Sequence, residues 1–89
     1  MSTPRELLNR IKWSVSPSLE DVLVYYVDRG APSDVGCVQG EVIEKLERGL
    51  FVLKGGTHIP YHRIFRIEHR GTPIYYREDK DPRAKPPRS

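Results

Sequence analysis

Apolar positions recur along this chain at two different spacings. Leu7, Leu8 and Ile11 fall at the helical interval, with Arg5, Asn9, Arg10 and Lys12 turned away from them, so an amphipathic helix is expected to end near Trp13 and to lie on a sheet. Its start is marked by Thr3-Pro4-Arg5-Glu6. Thr3 caps, Pro4 suits the first helical position, and Glu6 completes a capping box, a device contributing about 1 kcal/mol. Ser16-Pro17-Ser18 breaks the helix, and Trp13 is read as an anchor over the sheet rather than a base-stacking residue.

The remaining apolar runs have strand character. Val22 to Val27 is dense in β-branched and aromatic residues and too short for a good helix, which predicts a buried strand ended by the loop Arg29 to Asp34. Glu41 to Arg48 fits either a short helix with a glycine cap or a strand entering a hairpin, and the strand is favoured. Gly49 then turns into Leu50 to Leu53, and Gly55-Gly56 into Thr57-His58-Ile59, which together suggest a meander. Pro60 lacks an amide hydrogen, so Pro60 to Arg63 is read as a kink between strands. From Ile64 to Arg70 the pattern alternates: Phe65, Ile67 and His69 on one face, Arg66, Glu68 and Arg70 on the other. Gly71-Thr72 turns into a last strand, Pro73 to Arg77.

The expected fold class is α+β: an amino-terminal helix packed on a bent antiparallel sheet of about five strands, curling toward a partly open small barrel. Residues 1–77 are expected to form the single domain. After Arg77 the chain offers no hydrophobic residue but Ala84 and carries three of the eight prolines, so residues 78–89 are expected to be a disordered charged tail.

Composition narrows the functional classes. Eighty-nine residues at 37% hydrophobic content allow one core. The polar start and the lack of a long apolar run argue against a signal peptide or membrane helix, and point to a soluble cytoplasmic protein. Cys37, the single cysteine, cannot form an internal disulfide. The net charge of +3 is modest, but its distribution is uneven. Residues 14–40 sum to −3 and residues 54–70 to +3, and the second window holds His58, His62 and His69. Cations and imidazoles concentrated in this way suit a phosphate-binding surface, and equally a charged, solvated strand face.

Three stretches carry the candidate chemistry: Leu7-Leu8-Asn9-Arg10-Ile11-Lys12-Trp13, Tyr26-Val27-Asp28-Arg29-Gly30-Ala31-Pro32, and His58-Ile59-Pro60-Tyr61-His62-Arg63-Ile64. In this order and spacing they resemble the RNA cyclic-group end recognition family, small archaeal proteins also found fused to RNA-processing modules. The third stretch is the most specific, and the likeness covers about residues 4 to 77. The resemblance implies recognition of RNA ends bearing a 2′,3′-cyclic phosphate.

A cyclic phosphate is a compact monoanion with two free oxygens, and arginine offers a planar fork of donors to such a group. Arg63 sits at the kink beside His62, and Arg29 leads a glycine-containing loop whose amides suit an anion nest. Tyr61 is the favoured stacking platform for a base or ribose, and His58 completes the candidate RNA-binding set. The bland readings are that His62 caps a turn through a backbone hydrogen bond and that Arg29 pairs with Asp28 or another carboxylate at the surface. Neither a cofactor nor a metal is expected, because Pro60 between His58 and His62 rules out the helix their spacing needs and no second cysteine completes a zinc pattern. Hydrolysis by a histidine pair is the less favoured alternative, since the His-x-Ser/Thr pairs of two-histidine phosphoesterases are missing. A protein-interaction module of an RNA-processing assembly is the other.

Overall fold

The computed structural model describes residues 3–12 and 19–83. Trp13 and the Ser16-Pro17-Ser18 break lie outside the described residues. Helix α1 spans Pro4–Lys12. Its cap forms as the sequence predicts: the Glu6 amide donates to Thr3 Oγ1 at 3.1 Å, and the Thr3 amide donates to Glu6 Oε1 at 2.8 Å. Leu8 is fully buried and Ile11 packs beside it.

Seven strands follow among the described residues: β1 Val22–Val27, β2 Val35–Gln39, β3 Ile43–Leu46, β4 Leu50–Leu53, β5 His58–Pro60, β6 Ile64–His69 and β7 Thr72–Tyr76. They form two antiparallel sheets rather than one bent sheet, a four-stranded one in the order β2-β1-β6-β7 and the meander β3-β4-β5. The sheets do not close into a barrel. β2 is the strand the sequence pattern hid, because Gly36 within it and Gly40 just after it dilute its apolar signal. Both glycines answer to close approach: a methyl group at Gly40 would meet the Leu19 carbonyl, and one at Gly36 the Tyr26 ring.

The chain passes between sheets twice, each time through a single 3-10 turn, Gly40–Val42 and Tyr61–Arg63. Each turn delivers an isoleucine, Ile43 or Ile64, straight into the core. Val22, Val24, Ile64 and Ile67 of the larger sheet meet Phe51 and Ile59 of the smaller, and Leu8 of α1 joins them. Burying a side chain of this size contributes about 1.5–3 kcal/mol. Between β6 and β7 the two-residue turn Arg70-Gly71 has positive φ at both positions, 54° and 79°, the geometry whose twist suits a hairpin.

The simple alternation expected over Ile64 to Arg70 breaks at one position. Tyr25 pairs with Arg66 but Tyr26 pairs with Ile64, so Phe65 is an extra, bulged residue. It therefore leaves the face of Ile67 and joins Tyr25, 6.3 Å away between ring centroids, on the sheet's other face. The predicted pairing of Phe65 with Ile67 on one face is corrected accordingly.

Thr3→Ala removes one side of the cap and is expected to cost about 1 kcal/mol. Thermal unfolding followed by circular dichroism should then show a midpoint lower by roughly 4–8 °C.

Candidate nucleic-acid interface

Antiparallel strands alternate in direction, which brings particular strand ends together. β1 leaves one end of the larger sheet at Val27, and β2 enters there at Val35, its pairing partner. β6 enters at Ile64 opposite Tyr26, and β7 leaves at Tyr76 opposite Arg66. The loop after β1, the turn before β6 and the segment after β7 must therefore rise from the same end. Between them lies a cleft of about 560 Å³, lined by Val27, Arg29, Asp34, His62, Arg63, Lys80 and Pro82.

Each wall is held by local bonding. In the loop after β1, the Asp28 amide donates to the Asp34 carbonyl at 2.8 Å, Ala31 to Asp28 at 3.1 Å, and Asp34 to Ala31 at 2.9 Å. Ser33 and Asp34 both adopt φ 58°, a left-handed conformation that aspartate tolerates better than most residues. The turn before β6 has three residues, and a 3-10 turn sends successive side chains apart. Tyr61 goes inward, while His62 and Arg63 are exposed.

The third wall is a segment expected to be disordered. Residues 78–83 are held against the sheet, beginning with the 3-10 turn Glu78–Lys80. The Arg77 amide donates to the Phe65 carbonyl at 2.8 Å, and Lys80 Nζ donates to the His62 carbonyl at 2.8 Å. Asp81 is only 5% exposed. It accepts from the Tyr76 hydroxyl at 2.8 Å and the Arg83 amide at 2.9 Å. The Arg83 guanidinium lies 5.7 Å from the Tyr25 ring centroid and 5.6 Å from that of Phe65. Burial disfavours the Asp81 carboxylate, but the Arg83 amide, the Tyr76 hydroxyl and the Arg83 charge together hold its carboxyl below the ordinary value. A hydrophobicity reading could not find this strap, since a carboxylate and a guanidinium fasten it. Residues 84–89 lie outside the described residues.

Of the predicted binding residues, Arg29, His62 and Arg63 share the cleft. Among the described residues neither arginine is tied into an ion pair, so the alternative of Arg29 paired with Asp28 or another surface carboxylate is not what forms there. His62 contributes its carbonyl, not its ring, to the local bonding. Tyr61 is placed elsewhere: it is 9% exposed and packs on Phe51 with ring centroids 5.7 Å apart. Its ring is core and offers no face to a base, because the kink that exposes His62 turns Tyr61 under the sheet. Burial also raises its phenol above the usual value. His58 is exposed on β5, opposite Val52, and does not line the cleft. His69, opposite Val22, stands at the far end of β6. Lys80 and Asp34 line the cleft without having been singled out in the sequence.

Chemically the cleft sets three cations, Arg29, Arg63 and Lys80, and one imidazole against a single carboxylate. It is rich in donors and suited to a small anion. No group of three or more metal-ligating side chains occurs among the described residues, and no helix there is long and apolar enough to cross a membrane.

Fold and cleft thus define a small α+β domain with a cationic cleft at one end of its larger sheet. Residues 1–77 match the family model described as the MJ1316 RNA cyclic group end recognition domain, and the chain belongs to that family. It is similar to a UPF0248 protein of Methanococcus vannielii, 33% identical over 79 residues, covering 86% of this chain and 94% of that protein. A UPF0248 protein of Thermococcus onnurineus is 32% identical over 80 residues, 90% of each chain. Another from Methanopyrus kandleri is 35% identical over 57 residues, 64% of this chain and 76% of that one. No solved structure matches the chain.

Asp81→Ala leaves the Tyr76 hydroxyl and the Arg83 amide without their acceptor, and about 1–2 kcal/mol of stability should be lost at pH 7. The folded-state value of Asp81 is depressed, so its contribution is present above the unfolded value near pH 4 and fades as pH falls through the folded one. Urea titrations of both proteins at pH 7 and at pH 3 should show that gap narrowing. A gap that stays constant would mean the carboxylate does not hold the strap.

Proposed function

We propose that this chain is a cytoplasmic RNA-binding module that holds RNA termini in the cleft, and that the end group it recognises is a 2′,3′-cyclic phosphate. The observation that carries the reading is the meeting of Arg29 and Arg63, distant in sequence, in one cleft with His62 and Lys80 and, among the described residues, without a carboxylate bound to either guanidinium. Two guanidinium forks and an ammonium supply enough donors for both free oxygens of a cyclic phosphodiester. The volume, about 560 Å³, lies within the roughly 300–1,000 Å³ usual for small-ligand sites and has room for a terminal nucleotide. The family description names the same end group.

Binding without turnover is the favoured form of the proposal. Opening a cyclic phosphate by acid and base catalysis takes two proton-transfer groups on opposite sides of the phosphorus. His62 is the only histidine of the three that lines the cleft. Arg29, Arg63 and Lys80 hold the anion, and His62 donates a ring N–H to it.

Matched oligoribonucleotides ending in cyclic phosphate, linear phosphate or hydroxyl test the proposal by fluorescence anisotropy. Cyclic ends should bind at least tenfold more tightly than hydroxyl ends. Arg63→Ala should weaken that binding about tenfold with an unchanged melting curve, and should lower the salt slope by about 0.7 for the lost phosphate contact. Equal affinity for all three ends, with little dependence on salt, would point instead to a protein-interaction module. Hydrolysis of the cyclic end to a 2′- or 3′-phosphate monoester that stays on the RNA, with water taken up and the other hydroxyl freed, would make the chain a phosphodiesterase.

A further inference from the structure

Asp34 is the single carboxylate among the residues that line the cleft. It is exposed, it takes part in no ion pair among the described residues, and two backbone hydrogen bonds hold its main chain in the loop after β1. A site selected only to trap phosphate gains nothing from this charge, which weakens attraction to every anion. The loss is not equal for all anions, however. Coulomb energy scales with ligand charge, so one carboxylate opposes a dianion twice as strongly as a monoanion.

RNA ends bearing a single phosphate differ in this respect. A 2′,3′-cyclic phosphate is a diester with one negative charge, whereas a linear 3′-phosphate is a monoester whose second proton leaves near pH 6, giving it close to two. We infer that Asp34 is a charge filter: a specificity-determining residue that disfavours doubly charged monoester ends relative to singly charged diester ends. The inference rests on the end-recognition reading above and names a residue that shifts its selectivity toward singly charged ends. Arg29, Arg63, Lys80 and His62 attract both kinds of end, and the more highly charged one more strongly. One carboxylate against three cations lessens the cleft's preference for the doubly charged linear phosphate without reversing it. Over roughly 6 Å of hydrated cleft, one charge on Asp34 corresponds to about a threefold change in affinity per unit of ligand charge.

The test compares wild type with Asp34→Asn at pH 7.5 on three oligoribonucleotides of one sequence. They end in a 2′,3′-cyclic phosphate, a 3′-phosphate monoester and a 3′-(methyl phosphate) diester. Asparagine tolerates the left-handed backbone that Asp34 occupies, and Asp34→Gly, which suits the same φ, serves as a second neutral variant. Both variants should tighten cyclic and methyl-diester ends about threefold and the monoester end about tenfold. The cyclic-over-linear ratio then falls about threefold. A uniform gain across the three ends, or none, overturns the filter while leaving end recognition intact. So does a methyl diester that follows the monoester, since it carries the cyclic phosphate's charge. A wild-type protein that binds none of the three ends removes the end-recognition reading itself, and the filter with it.

Discussion

The antiparallel pairing of β1 with β6 is the constraint on which the rest of the molecule depends. It joins segments about forty residues apart in the chain, from Val22 opposite His69 to Tyr26 opposite Ile64, and so closes a long loop at considerable entropic cost. What offsets that cost is burial: Val22, Val24, Ile64 and Ile67 are all sealed from solvent against Phe51, Ile59 and Leu8. Once the pair is made, the direction of each strand is set. The end of β1 and the start of β6 must then emerge side by side, and the cleft is a consequence of that emergence.

Two further strands finish the arrangement without contributing much to the core. β2 brings Asp34 to the same end because its first residue, Val35, pairs with the last residue of β1. β7 runs back toward that end and hands the chain to the strap, where Asp81 gathers donors from Tyr76 and Arg83 and Lys80 reaches the His62 carbonyl. The strap is a polar device throughout. Its hydrogen bonds to Asp81 are partly buried, individually modest and costly to leave unmade, while the Lys80 bond is exposed. A cleft built on strand ends and short loops therefore has one wall set by the core and another set by a single buried carboxylate.

Much of this was legible in the residues. The capping box of Thr3 and Glu6, the strand Val22 to Val27, the glycine-turned meander and the kink after Pro60 are all local features, and each forms where its chemistry indicates. Arg29, His62 and Arg63 were legible as candidates because polar side chains beside a loop and a kink tend to be left exposed. Three things were not. Phe65 lies one face away from its alternation because a bulge depends on the register of a partner strand. Tyr61 looked available next to two exposed residues, yet a 3-10 turn places neighbours on opposite sides, and the core claims the ring. Residues 78–83 have no apolar pattern to read, and their order comes from groups that find partners only in the folded molecule.

The sequence by itself determined the α+β class, the family, most of the strands and the chemical character of the candidate site. Those follow from local propensity, periodicity and motif, which act over a few residues at a time. Only the tertiary structure decided that there are two sheets instead of one, that Arg29 and Arg63 face a common cleft, and that Asp34 and Lys80 belong to it. These are matters of pairing and register between distant segments, and the energy that fixes them, shared burial and partnered polar groups, exists only when the segments meet.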